Sequence, residues 1–478
     1  MILEAVPKKI HFIWIGSVTP DKYIENVKQF ARYNHDYEVL LWVDHPLPPI
    51  EKITVKHIGS INLINDALFR RESNIGAKAD ILRYEIVYNE GGIYNDIDAL
   101  CLREFGSQFT KPFVSHTFEP WNNITCAVFG FAKKDQFLKF VIDSLEGAST
   151  EPSVIHRTGP EFFTRCFVKW SGLEGVDWKT ICSYGAVKHI SLIHQDLLIF
   201  PRKSNEKNRS VGYTFHLMDA NWVPQNKVKA APKISFCTAI KNRLPHLSKT
   251  LPQNIVDAAG QDVEFVILDY QSDDGLSEWI RPYVANGLVN YFRTENQPYW
   301  RNSHAKNLAH LCAESEVVCN VDADNFITAG FAEHLINFFK ENKGIYTAPR
   351  AVEGVTGRIA FRKSDFIDIG GYNEEFVWGW GCEDIDLVAR AEAMGHPVTY
   401  IDLKYLRQIS HDDTMRGLNS EVRNIWVSNE KSLNLMKANL KEKKYIANAG
   451  KRWGYAQVKK NYKTDMTTGK GWRTITCL

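Results

Sequence analysis

The stretch Gly76-Ala-Lys-Ala-Asp80-Ile-Leu-Arg83-Tyr-Glu-Ile-Val-Tyr-Asn-Glu-Gly91-Gly92-Ile-Tyr-Asn-Asp96-Ile-Asp98 decides the fold. In its first half Ile81, Tyr84, Val87 and Tyr88 recur at the spacing of one buried helical face. Gly91-Gly92 ends that helix, because glycine takes the left-handed conformation that closes a last turn. Ile93-Tyr94 then reads as a short strand, which places Asp96 and Asp98 in or just beyond extended chain. Side chains at i and i+2 of extended chain point to the same side, roughly 7 Å apart along the backbone. Two such carboxylates repel unless a cation sits near them. Hard oxygen ligands suit Mg²⁺ or Mn²⁺, ions that commonly keep positions open for substrate phosphates. The stretch predicts a metal–diphosphate site.

The same device recurs. Val317-Val-Cys-Asn-Val321 is an apolar strand, and Asp322-Ala-Asp324 follows it at once. Surface loops produce a lone Asp-x-Asp by chance, but two copies, each behind a short apolar strand, call for a common cause. A candidate first strand precedes each at nearly the same distance: 86 residues separate Ile10 from Asp96, and 88 separate Ile234 from Asp322. One architecture used twice is the expectation.

At 478 residues the chain has room for two or three domains, each with its own core. Hydrophobic content of 44% and charged content of 24% are ordinary for a soluble globular protein. A net charge of +2 argues against a dedicated nucleic-acid binder. The 13 Trp suit sugar- and base-binding clefts as well as cores. Nine Cys, an odd number with no Cys-x-x-Cys pair, supply neither a disulfide framework nor a zinc site. A reducing, cytoplasmic setting is expected, with no signal peptide at the N-terminus and no run of about 18 apolar residues.

Lys9-Ile-His-Phe-Ile-Trp14-Ile-Gly16 reads as a first strand ending in glycine. Trp14 either stacks on a nucleobase at the strand's carboxyl end, where open sheets bind ligands, or is a core residue. Asp80 and Arg83 are i,i+3 neighbours. They form either a surface ion pair or a grip on donor-sugar hydroxyls beside the metal. The first strand, the Ala77-x-x-Asp80-x-x-Arg83 helix and Gly-Gly-Ile-Tyr-x-Asp96-x-Asp98 together resemble glycosyltransferase family 32, a relative of the large clostridial glucosylating toxins. The resemblance spans about residues 7 to 223 and implies a DXD sugar-binding region and retention of configuration. Thr158-Gly-Pro160, opening a helix, agrees with it. It further implies that His216 joins Asp96 and Asp98 on the metal, and that Asn221 and Trp222 lie near the diphosphate. Paired histidines and a Gly-Ser-Trp are common in the family; here His216-Leu-Met-Asp and Ala-Asn-Trp stand instead.

Asn221 to Pro232 reads as an interdomain linker, and Lys233-Ile-Ser-Phe-Cys-Thr-Ala-Ile240 as a new first strand followed by Lys-Asn-Arg243. Val263 to Leu268 is a second strand, ending at Asp269 before the turn Ser272-Asp273-Asp274-Gly275. This beginning resembles the nucleotide half of glycosyltransferase family 2, which implies Thr238, Asp269 and Asp273 around the nucleoside, with Arg243 among the substrate contacts. Trp300 to Asn307 starts a helix whose basic groups, Lys306 among them, either face the diphosphate or are solvated. Phe376-Val-Trp-Gly-Trp380-Gly-Cys-Glu383-Asp384-Ile-Asp386 is the most informative stretch of this half. Glycines flanking Trp380 predict a flexible loop allowing close approach. Glu383-Asp384 open a helix, where acidic residues are also ordinary dipole partners. The loop resembles the Trp-Gly-Trp-Gly-x-Glu-Asp signature of β1,4-galactosyltransferases and chondroitin-type polymerases. That match implies Asp384 as general base, Glu383 on sugar or acceptor hydroxyls, Trp380 at the sugar, and His411 as third metal ligand beside Asp322 and Asp324.

Residues 437 to 478 carry 11 Lys or Arg against Glu442 and Asp465, with Trp453, Tyr455, Tyr462 and Trp472 interleaved. This predicts a basic, helical tail that lies on an anionic membrane, contacts an anionic acceptor, or packs on the second domain. The fold class expected is α/β, with two tandem GT-A-type (Rossmann-like, mixed-sheet) domains over 1–228 and 229–430 and the tail over 431–478. The function expected is a bifunctional glycosyltransferase using UDP-sugars and Mn²⁺ or Mg²⁺, on a glycan or glycolipid acceptor, retaining in the first domain and inverting in the second. In the alternative, one domain alone is catalytic and the other is a binding or scaffolding module.

Overall fold

The computed structural model describes residues 5–117, 122–198, 212–217, 233–352, 354–410, 417–468 and 474–475. They belong to two compact units, Met1–Arg202 with Asn208–Lys227, and the chain from Val228 to Leu478.

The first unit contains β1 (Lys9–Trp14), β2 (Glu38–Val43), β3 (Thr54–His57), β4 (Gly92–Asn95), β5 (Ala99–Cys101), β6 (Phe113–His116), β7 (Ile124–Phe131), β8 (Ala186–Val187), β9 (Ile190–His194) and β10 (Thr214–His216). Eight of these form one mixed sheet in the order β3-β2-β1-β4-β7-β6-β9-β8, while β5 pairs with β10. Ile10, Phe12, Val39 and Leu41 enter one core cluster, and Ile13, Leu40 and Trp42 another. A sheet covered on both faces needs apolar residues at consecutive positions, which is why β1 and β2 read as near-continuous apolar runs.

Between β3 and β4 runs the helix Ile75–Glu90, started by Asn74, whose side-chain oxygen accepts the N–H of Ala77 at 3.1 Å. The single buried face expected from its spacing is too modest: Ala77 and every residue from Asp80 to Val87 are buried. The helix packs on β1, β4 and β7 and also against the helix Gln136–Ala148. Gly91, at φ +66°, closes it with an N–H bond to the Val87 carbonyl at 2.8 Å. β4 follows directly, so the helix end fixes where Asp96 emerges.

The second unit contains β11 (Ile234–Ile240), β12 (Val263–Asp269), β13 (Asn290–Thr294), β14 (Val317–Asn320), β15 (Asn325–Phe326), β16 (Ile345–Thr347), β17 (Ile359–Arg362), β18 (Val398–Tyr400), β19 (Arg407–Gln408), β20 (Gln457–Lys460), β21 (Thr464–Thr467) and β22 (Thr474–Ile475). Its main sheet runs β18-β16-β17-β14-β11-β12-β13-β20-β21-β22, and β15 pairs with β19. From β13 to β16 this repeats the first unit's β3 to β6, strand for strand and direction for direction. The small pair β15–β19 answers to β5–β10. Two tandem GT-A-type α/β units are thus what the chain forms. In each, the first strand has its sequence neighbour on one side and the strand leading to the acidic pair on the other. Open sheets bind ligands at the carboxyl ends of strands beside such a switch.

The segment expected as a separate helical tail is built into the second unit. Its helix, Ile425–Lys441, gives way to β20, which pairs antiparallel with β13, and β21 and β22 extend that edge. Trp453 is almost wholly buried in the unit's core beside Phe366. An aromatic among lysines here fills a core.

Candidate active sites

In the first unit Asp96 and Asp98 stand just beyond β4, in the tight connection to β5. The turn is pinned from three sides. Asp96 N–H bonds the Ala127 carbonyl at 2.8 Å, Asn26 Nδ2 donates to the Ile97 carbonyl at 2.9 Å, and Leu217 N–H reaches the Asp98 carbonyl at 2.9 Å. The last bond continues the β5–β10 pairing, which sets His216 opposite Ala99. His216 Nε2 accordingly lies 3.2 Å from Asp96 Oδ2 and 3.4 Å from Asp98 Oδ1. One ligand atom from each of the three lies within 4.8 Å of the others. Two carboxylates and an imidazole fit a divalent cation such as Mn²⁺.

Asp80 and Arg83 are buried, which removes the surface ion pair from consideration. Arg83 Nη2 is 3.0 Å from Asp80, its Nη1 is 3.2 Å from Asp96 Oδ1, and it donates to the Cys126 carbonyl at 2.7 Å. Thr158, ahead of the expected helix Pro160–Ser171, donates to Asp80 at 2.8 Å. Tyr94 donates its hydroxyl to Asp96 at 2.7 Å. Arg83 therefore orients the metal-side carboxylate from behind. Burial alone would raise the Asp96 pKa, but Arg83 and His216 together hold it below the usual carboxylate range. Burial would lower His216, and Asp98 and Asp96 outweigh it, so the imidazole is raised. Trp14 ends β1, half-buried, its ring centroid 4.7 Å from that of Tyr23 and its Nε1 donating to Ser17 O at 3.0 Å. Asn221 and Trp222 lie outside the described residues.

In the second unit a cleft of about 570 Å³ gathers Arg243, Lys306, Asp322, Asp324, Trp380, Glu383 and Asp384. The Trp-Gly loop is clamped. Ser428 Oγ accepts from Trp380 N–H at 3.2 Å and donates to the Trp380 carbonyl at 2.7 Å. Gly379 and Gly381 have φ of +119° and +114°, and a Cβ on either would lie 2.5 Å from Ser420 or Asn429. Gly381 serves close approach to the Ile425–Lys441 helix and Gly379 to Ser420 ahead of it, the close approach expected of them.

Lys306, expected either to face the diphosphate or to be solvated, lines this cleft and is buried, so the solvated reading falls. Its buried ammonium lies 2.7 Å from Asp384 Oδ1, 3.0 Å from Glu383 Oε1 and 3.8 Å from Asp322 Oδ1. Asn302 also donates to Glu383. The cation is engaged by the acids of its own unit. A methyl group at Gly357 would lie 2.5 Å from Asp322 Oδ2 and 3.0 Å from Asp384 Oδ2, so both free oxygens face one point. Burial, reinforced by Glu383, pushes the Asp384 carboxyl up to about 8, with Lys306 pulling the other way. A carboxyl whose folded pKa exceeds its ordinary 3.8 contributes full stability below that value and loses it as pH rises through about 8. Lys306→Met should thus cost about 3–5 kcal/mol in metal-free buffer, more at pH 8.5 than at pH 5.5. Urea unfolding at both pH values checks this; equal losses would mean that Lys306 acts by packing alone.

Three other expected residues do not join the cleft wall in the roles implied. Thr238 donates its hydroxyl to the Val321 carbonyl at 2.7 Å, tying β11 to the chain after β14. Asp269 is fully buried, accepting from Ser272 N–H at 2.6 Å, from Tyr291 OH at 2.5 Å and from Arg293. Both are structural ties, and neither lines the cleft. Asp273 lines a second cavity of about 610 Å³ with Asn242, Gln271 and Arg293, adjoining the cleft through Lys241 and Asn419. His411 lies outside the described residues. Among the described residues, Ile409 N–H bonds the Asp324 carbonyl at 2.8 Å, as Leu217 does Asp98. With Gln408 opposite Asn325, Gln408 is the counterpart of His216. Asn302, Gln408 and Ser428 were beyond sequence reasoning, because only the pairing of distant segments brings them to Glu383, to the strand after Asp324 and to the Trp380 loop.

Comparison with known proteins bears on both units. Residues 20–120 match the family described as a glycosyltransferase sugar-binding region containing a DXD motif, and residues 333–412 match that described as the N-terminal domain of galactosyltransferase. The chain is 33% identical over 162 residues to Subversion of eukaryotic traffic protein A of Legionella pneumophila, which covers 30% of this chain and 25% of that protein. It is 29% identical over 178 residues to Inositol phosphoceramide mannosyltransferase 3 of Schizosaccharomyces pombe, covering 36% and 48%. The chain thus spans between a quarter and about half the length of these curated relatives. Among solved structures it is similar to the PaToxG glycosyltransferase, at 22% identity and a TM-score of 0.33 over 38% of this chain and 76% of that one. No helix among the described residues is long and apolar enough to cross a membrane.

Proposed function

We propose that this chain is a bifunctional, metal-dependent glycosyltransferase that draws on nucleotide sugars, UDP-sugars first among them, to build a surface polysaccharide or oligosaccharide. The observation that carries the reading is the repeated strand order with an Asp-x-Asp turn behind the fourth strand of each unit. In the first unit Asp96, Asp98 and His216 would hold Mn²⁺ or Mg²⁺. In the second, Asp322 and Asp324 would do so, with His411 the expected third ligand. Such an ion neutralises charge on a departing diphosphate.

The chain's own groups do the rest. Arg83 and Tyr94 fix Asp96, and Asp80 is held by Thr158, so the first acidic turn meets a donor already oriented. In the second unit Asp384 takes the proton of an acceptor hydroxyl as its oxygen bonds to the sugar's anomeric carbon. The bond from that carbon to the diphosphate breaks, and its electron pair leaves with the diphosphate oxygen. Attack opposite the leaving group inverts configuration. The first unit has no matching carboxylate signature and is assigned retention. A second reading, in which one unit alone is catalytic, draws support from a three-ligand cluster found in the first unit only, among the described residues. A glycolipid acceptor and membrane contact through the basic C-terminal segment 431–478 remain part of the proposal.

A nucleotide-sugar panel with Mn²⁺, Mg²⁺ or EDTA, run on the full chain, tests the function. Release of nucleoside diphosphate should require the ion, and EDTA followed by dialysis should abolish it. Undiminished turnover after that treatment would remove the metal from the reaction.

A further inference from the structure

Trp426 is 72% exposed, yet it lines the second unit's cleft together with Trp300, Trp380 and Asp384. A single exposed aromatic on open surface requires no explanation; one set on the wall of a cleft of carboxylates does. Its position is fixed by the chain around it. Asn424 Oδ1 accepts the N–H groups of Trp426 at 3.1 Å and Val427 at 3.2 Å, capping the Ile425–Lys441 helix. The same first turns carry Ser428, bonded both ways to the Trp380 backbone, and Asn429, seated where Gly381 leaves no room for a side chain. Trp426 is thereby tied to the loop that ends in Glu383 and Asp384.

Ligand clefts combine aromatic walls with a few convergent polar groups. A pyranose matches such a wall: its C–H face is apolar and its rim carries hydroxyls. An indole offers a broad apolar face at the cost of few rotatable bonds. We infer that Trp426 is the acceptor platform of the second unit, stacking on the apolar face of an acceptor sugar whose reacting hydroxyl is presented to Asp384. This assignment rests on the glycosyltransfer reading above and adds to it which residue grips the acceptor sugar, and that it does so through the ring.

The test uses the full chain with Asp96→Asn and Asp98→Asn, so that turnover belongs to the second unit. Acceptor probes are p-nitrophenyl glycosides of glucose, galactose, N-acetylglucosamine and N-acetylgalactosamine. Trp426→Ala should raise the acceptor KM by about tenfold or more, leave the donor KM within twofold, and leave hydrolysis of the nucleotide sugar without acceptor unchanged. Trp426→Phe should restore most of the acceptor affinity. An unchanged acceptor KM overturns the assignment, as does a parallel fall in donor hydrolysis, which would place Trp426 on the donor or in the fold. In parallel, the labelled chain carrying Asp384→Asn is laid on a printed glycan array. Glycans it retains should be lost on adding Trp426→Ala, and equal retention overturns the subsite independently of turnover. Absence of both hydrolysis and transfer across the whole donor panel overturns the glycosyltransfer reading itself.

Discussion

Asp384→Asn should reduce the second unit's transfer by about 10²–10⁴-fold, or roughly 3–5 kcal/mol of barrier, the usual contribution of a general base. The side chain has one oxygen on Lys306 at 2.7 Å and the other turned to the point shared with Asp322. Asparagine preserves that shape and can still accept from Lys306, but it cannot take a proton from an acceptor hydroxyl. Donor affinity, governed by Asp322 and Asp324, should change little. The pH dependence follows from burial: a carboxyl pushed up to about 8 must be ionised to act as base. The wild-type rate should therefore climb with pH above the ordinary carboxylate range, and the climb should be absent in Asp384→Asn. Glu383→Gln should damage acceptor or sugar affinity as well as rate, because Glu383 also anchors Asn302 and Lys306. If Asp384 merely caps its helix, asparagine caps nearly as well, and turnover near the wild-type level would end its assignment as base.

What could be read before the structure was local. Glu38–Val43 is a strand because both its faces are buried, and apolar residues at consecutive positions say so directly. The helix before Asp96, its glycine stop and the strand after it follow from adjacent residues. The Glu383 helix start follows likewise from its own sequence. The failures share a different cause. Asp269 looks like a nucleoside contact, but it is fully buried, with Tyr291 and Arg293, more than 20 residues away, both donating to its Oδ2. Lys306 reads as a phosphate contact or a solvated cation, and its burial against Glu383 and Asp384, 77 and 78 residues on, is not legible locally. The basic segment after residue 440 looks like a solvated tail because nothing in it announces that β20 pairs with β13. Register across long separations is set by the whole sheet, and no local pattern encodes it.

Asp96→Asn with Asp98→Asn should abolish one transfer, by at least about 10³-fold or 4 kcal/mol, and spare the other. Asp322→Asn with Asp324→Asn should do the converse. The expectation rests on each unit having its own first strand, its own switch beside that strand, and its own acidic turn. The first pair is set for this test by its surroundings. Arg83 keeps Asp80 as a partner at 3.0 Å when Asp96 loses its charge, so no buried guanidinium is stranded. Tyr94 can still donate to the asparagine oxygen, and the turn remains pinned by Asn26 and Leu217 through backbone carbonyls. The fold should survive, which thermal unfolding checks beside activity. Metal affinity should not, because both anionic oxygen ligands are gone and His216 alone of the three remains. Isothermal titration with Mn²⁺ should accordingly lose one binding event in the first double variant and keep it in the second. A folded double variant that lost both transfers at once would mean that the two units do not work independently.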